Sequence, residues 1–92
     1  MNESWFSLSY TDHAFARAQE RGIKPYQVDY AVAHGTHVPQ ADGTVKCVLM
    51  PPNVPYTDRR SHAVLVGLTV VLAKAPHDDW RVITLYFGDK LM

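Results

Sequence analysis

The sequence predicts a single α+β domain: two short helices, then a curved antiparallel sheet of about four strands that carries most of the core. Three observations lead there. The first third of the chain places glycine and proline where helices stop and start. From Thr36 onward the apolar residues leave helical spacing for alternation and for runs of Val and Leu. The chain has 92 residues, 47% of them hydrophobic, which fits one core over residues 1–92 and leaves no room for a second.

Met1 to Tyr10 alternate weakly through Trp5, Phe6, Leu8 and Tyr10, as a short added strand or a packed arm would. Thr11 stands at an N-cap position, and Asp12 in the first turn favours the positive end of the helix dipole. The first helix runs from Asp12 to Arg21, and Gly22 stops it as a left-handed C′ residue. Pro25 opens the second helix, where a missing N–H costs nothing. Val28, Ala31 and Val32 recur at helical spacing, with Tyr30 beside them, and Gly35 closes this helix as Gly22 closes the first.

Thr36 to Ala41 reads as an edge strand, because Pro39 cannot donate to a ladder. Asp42-Gly43 signals a two-residue hairpin, with Thr44 to Met50 as the partner strand. Pro51, Pro52 and Pro55 forbid regular pairing, so Pro51 to Ser61 reads as a surface loop carrying Arg59 and Arg60. Ala63 to Ala75 is the most β-prone stretch and apolar on both faces, with Gly67 marking a bulge or a break. Pro76 to Asp79 make a turn, and Trp80 to Phe87 the last strand. Strict alternation there puts Trp80, Val82, Thr84 and Tyr86 on one face.

Nine basic and nine acidic residues cancel. No global field draws such a chain onto nucleic acid, so any RNA contact must come from a local cluster. The lone Cys47 excludes an internal disulfide and reads as a thiol buried in a strand. The N-terminus lacks the basic start and long apolar run of a signal peptide, and the longest apolar stretch is too short for a membrane helix. The expected compartment is the cytoplasm. A domain of this size buries roughly 60–65% of its unfolded surface, so a partner covering one face would add to its stability.

His13, Arg17 and Arg21 lie four apart along one helix face, with Lys24 just past the end. Guanidiniums fork onto a phosphodiester, and an imidazole moves a proton near neutral pH. The same spacing also describes a solvated face on which Asp12 and Glu20 pair with the arginines. Thr84 and Tyr86 bring two hydroxyls to the last strand, where a tyrosine donates a proton, stacks on a base, or simply reaches solvent. His34 and His37 are split by Gly35, and His77, Asp78 and Asp79 form a polar turn. Neither spacing matches a zinc site, so no metal and no cofactor are expected.

His13-Ala14, Arg17, Arg21-Gly22-Ile23 and the closing Val82-Ile83-Thr84-Leu85-Tyr86 resemble a small bacterial domain family of unknown function. Its members begin with an "HA…R…RGI" helix and end in a "VIT-x-Y" strand, and the family is considered related to the RelE/ParE and BrnT toxins. The resemblance spans Tyr10 to Phe87 and implies a RelE-like fold in which helix face and sheet flank one groove. It implies a metal-independent endoribonuclease of the toxin type, with His13, Arg17, Arg21 and Tyr86 catalytic and Thr84 holding RNA; Lys24, Arg59 and Arg60, outside the shared motif, are expected RNA contacts by their charge alone. An antitoxin or other protein partner, or a homodimer, goes with that reading. The alternative is a non-catalytic partner-binding or nucleic-acid-binding module of the same fold.

Overall fold

A computed structural model describes residues 8–74 and 80–88. The Trp5–Phe6 part of the N-terminal arm and the expected turn at 76–79 lie outside these residues. Strand β1 (Leu8–Tyr10) leads into helix α1 (Asp12–Arg21) and helix α2 (Pro25–His34), followed by β2 (Thr36–Pro39) and β3 (Val45–Val48). A helical turn, α3 (Arg59–His62), precedes β4 (Leu68–Lys74) and β5 (Trp80–Phe87). The architecture is α+β, as expected, but the sheet has five strands in the order β1-β5-β4-β3-β2. It is mixed: β1 runs parallel to β5, and the other pairs are antiparallel.

The helix punctuation follows from local chemistry. The Thr11 hydroxyl accepts from the Ala14 amide at 3.1 Å, satisfying one orphan N–H of α1. Gly22 ends α1 in the left-handed region at φ 68°, its N–H returning to the last turn. Gly35 ends α2 for a different reason. Its backbone is extended, at φ −71°, and a Cβ there would press on the Ala31 carbonyl and sit 3.0 Å from the Val48 carbonyl oxygen. It is a close-approach glycine that lets the helix end rest on β3.

The β2–β3 connection is wider than a two-residue hairpin. Gln40 N–H bonds Thr44 O and Gly43 N–H bonds Gln40 O, which leaves a three-residue loop with Gly43 at φ 92°. Asp42 accepts from both the hydroxyl and the amide of Thr44, and these bonds lower its pKa. The expected loop from Pro51 is a run of short helical turns at Pro51–Asn53, Tyr56–Asp58, α3 and Ala63–Leu65. Pro51 and Pro52 open the first of these turns and Pro55 precedes the second, so prolines that forbid strand pairing here start helical turns. The expected strand from Ala63 therefore starts only at Leu68, after Gly67 at φ 98°.

The helices cover one face of the sheet. Ala14, Ala18, Val28, Ala31 and Val32 meet Cys47, Leu68, Val70, Leu72, Val82 and Leu85, all buried. Cys47 is fully enclosed, and burial pushes its thiol up to about 11.

Candidate functional site

The register across β4 and β5 decides which side chains meet. Val71 pairs with Thr84, but its neighbour Leu72 pairs with Val82, so Ile83 is an extra residue and a β-bulge interrupts the alternation. Val82 and Leu85, three apart, both turn inward and are fully buried. Thr84 and Tyr86 therefore do not share a face with Trp80 and Val82, contrary to the strict alternation. They stand with Arg81 on the opposite side, away from the helical layer.

The same pairing assigns the rest of that face. Val38, Lys46, Val71 and Thr84 form one row across four strands, and Thr36, Val48, Thr69 and Tyr86 form the next. Ala73 and Arg81 form a third, with Ser9 beside Arg81 on β1 and its hydroxyl 3.5 Å from Arg81 Nε. Lys46, Val71, Thr84 and Tyr86 are half-buried, and Arg81 is exposed. Thr69 is fully buried and donates to the Gly67 carbonyl at 3.4 Å. Lys46 and Arg81 went unnoticed in the sequence because an isolated cation in a strand carries no local signal; only long-range register shows what it faces.

His13, Arg17 and Arg21 do lie along one face of α1, His13 and Arg21 exposed and Arg17 half-buried. Arg17 pairs loosely with Glu20 at 3.5 Å, a surface contact worth little. The helix start is pinned to β5: Thr11 N–H donates to the Val82 carbonyl at 3.1 Å, and its hydroxyl to the Ile83 carbonyl at 3.1 Å. The row thus begins at the β5 edge, next to the bulge. α1 itself packs over the covered face, so the arginine row and the β5 hydroxyls belong to different sides of the sheet, meeting only around that edge.

The hollow beside α1, about 550 Å³, opens on its other flank, lined by Tyr10, Phe15, Ala18, Ile23, Lys24 and Val28 among others. Of the expected site residues only Lys24 reaches it. The Tyr10 hydroxyl is buried without a hydrogen-bond partner, and burial, then the Asp29 charge, push it up to about 12.

Arg59 and Arg60 belong to another region. α3 is fixed against α2, where the Tyr30 hydroxyl donates to Asp58 at 2.8 Å and its ring stacks on His62 at 4.0 Å and tilts against His34 at 4.3 Å. Arg59 donates to the Val54 carbonyl, and Arg60 is exposed. His37 holds the Val32 carbonyl at 2.7 Å and does not face His34. Among the described residues no three His, Cys, Asp or Glu side chains gather as a metal site would need, and no helix is long and apolar enough to cross a membrane.

No curated protein and no solved structure matches the chain. A family model does, over residues 10–87, from the Tyr10 that precedes the helix cap to the Phe87 that ends β5. The matched span takes in both elements on which the site is built, and the chain belongs to the family described as a domain of unknown function, DUF4258.

Proposed function

We propose that this chain is a metal-independent endoribonuclease of the toxin type, related in fold to RelE and BrnT, acting in the bacterial cytoplasm and held in check by an antitoxin. The observation that carries the reading is the tether of Thr11 to the Val82 and Ile83 carbonyls. It sets the first turn of α1, with His13, at the strand edge where the bulge turns Thr84 outward. RNA supplies its own nucleophile, the 2′-hydroxyl, so the protein needs a base, an acid and a cation. His13 takes the 2′-hydroxyl proton and returns one to the leaving 5′-oxygen, while Arg17 and Arg21 stabilise charge developing on the phosphate. Tyr86 stands on the open face, away from that phosphodiester, and serves to contact RNA that continues round the β5 edge. Purified protein incubated with tRNA or ribosomal RNA in EDTA should cut it, and His13→Ala or Arg17→Ala should slow cleavage about 10²–10³-fold. No cleavage, or cleavage indifferent to both substitutions, removes the reading.

A second reading is a non-catalytic partner-binding module. It is favoured by the apolar hollow between α1 and α2, lined by the exposed ring of Phe15, 55% accessible. Copurification with a neighbouring gene product, or clean dimerisation, without growth arrest on expression supports it. Growth arrest abolished by Arg21→Ala counts against it.

A further inference from the structure

The hollow at the corner of α1 and α2 has the size of a small-molecule site. Its volume of about 550 Å³ lies within the range of about 300–1,000 Å³ usual for ligand pockets. Phe15, Ala18, Ile23 and Val28 give it apolar walls. The space follows from the sequence of the corner. Ala18 is small, and a Cβ at Gly22, also in the lining, would meet nothing within 4 Å. The Ile23 N–H donates to the Ala18 carbonyl at 2.8 Å, which fixes how the two helices meet.

One group in this apolar surround lacks what it needs. The Tyr10 hydroxyl is buried and has no hydrogen-bond partner, whereas nearly all buried hydroxyls have one. An unpaired donor of this kind costs stability. Its backbone is held on both sides: Tyr10 pairs with Val82, and the next residue, Thr11, bonds the Val82 and Ile83 carbonyls. Burial and the nearby Asp29 charge keep the proton on the phenol, so at neutral pH the group is a donor without charge.

Charge narrows what can fill the space. Lys24 is exposed and lines the hollow, so it stands at the mouth and opposes a cation there. Asp29 acts on Tyr10 and opposes an anion beside the hydroxyl. A docked protein would bring its polar groups to the rim, as interfaces do, and leave the inner donor unpaired. A small ligand carries its few polar groups inside, where they fix its orientation.

We infer that the hollow between Tyr10, α1 and α2 binds a neutral, ring-sized apolar molecule whose carbonyl or other acceptor oxygen takes the hydrogen bond of the Tyr10 hydroxyl. The hydroxyl is out of reach of water, so the ligand gains it by displacing part of the lining, and Phe15, 55% exposed, is the ring least held. The site is independent of the nuclease reading, and it gives the hollow a small ligand in place of the partner of the second reading.

The probes are acetylnaphthalene, which carries a ketone, and ethylnaphthalene, which has nearly the same shape without one. Each is titrated into the isotope-labelled full chain and followed by NMR. Both should shift the resonances of Phe15, Ile23 and Val28, and the ketone should bind about fivefold more tightly, the worth of one net hydrogen bond. Tyr10→Phe should abolish that difference while leaving ethylnaphthalene unchanged. It should also raise the denaturation midpoint of the protein alone, because it deletes an unpaired buried donor. Phe15→Ala should weaken both probes, and Tyr56→Ala, an exposed ring on another segment, neither. Absence of saturable shifts at these residues overturns the inference, as does a preference for the ketone that survives Tyr10→Phe. A midpoint lowered by Tyr10→Phe, or naphthoate bound as tightly as the ketone through Tyr10, overturns it as well. None of these measurements involves RNA, so the nuclease reading and this site fail separately.

Discussion

The two faces of the sheet are built by opposite rules. The covered face takes Cys47, Leu68, Val70, Leu72, Val82 and Leu85 from three adjacent strands and closes them under two helices. The other face mixes Thr, Lys, Arg and Tyr with Val48, Val71 and Ala73 from the same strands; its middle row is half-exposed, while Val48 and Thr69 in the next are fully buried. What separates them is one residue. Were Ile83 to take a regular place in the alternation, the residues after Val82 would exchange faces, carrying Leu85 out to solvent and Thr84 and Tyr86 under α1. The bulge lets one strand supply the core at both ends and polar chemistry between them.

The comparison can be broken at several points. Leu85→Ala should cost about 2–5 kcal/mol in chemical denaturation, while Thr84→Ala should cost under about 1 kcal/mol. Similar losses for the two would mean that the assigned facing is wrong. A second break uses alkali. Burial raises the Cys47 thiol to about 11, so the folded state keeps a proton that the unfolded chain releases above about pH 9. Its stabilising contribution is complete below that pH and is lost as pH rises towards 11, and Cys47→Ala should flatten the fall in denaturation midpoint between those values. Tyr30, raised to about 12 by burial and by Asp58, acts in the same direction at higher pH. The smallest effect sharpens the edge where the faces meet. Thr11→Ala removes both the cap of α1 and a bond to Ile83, and should cost about 1 kcal/mol. If α1 positions His13 for catalysis, cleavage should fall further than that loss of stability explains.

Much of this was legible in the residues. Thr11, Gly22 and Pro25 announce their positions because caps and stops are chemistry within one turn. The fold class followed from the change of period at Thr36. The parallel pairing of β1 left no trace, since Leu8 finds its partner only across the length of the chain. Ile83 looks like any apolar strand residue, so the bulge leaves no trace in the sequence, and strict alternation puts Thr84 and Tyr86 on the wrong face. Arg59 and Arg60 drew notice as an adjacent pair, yet the Tyr30–Asp58 bond anchors their segment to α2. Lys46 drew none, because a single lysine between valine and cysteine gains meaning only from Val71 and Thr84 beside it.

The pairing of β1 with β5 has a bearing on synthesis. Ser9 and Arg81 touch across 72 residues, so β1 must wait for its partner β5 until the other strands of the sheet have been made. Until β5 emerges, β1 and β4 each lack a neighbour, and α1 has nothing to be tethered to. The sheet thus cannot close on the β1 side until β5 is made, and slow closure of so long a loop leaves the earlier strands open to chaperones first.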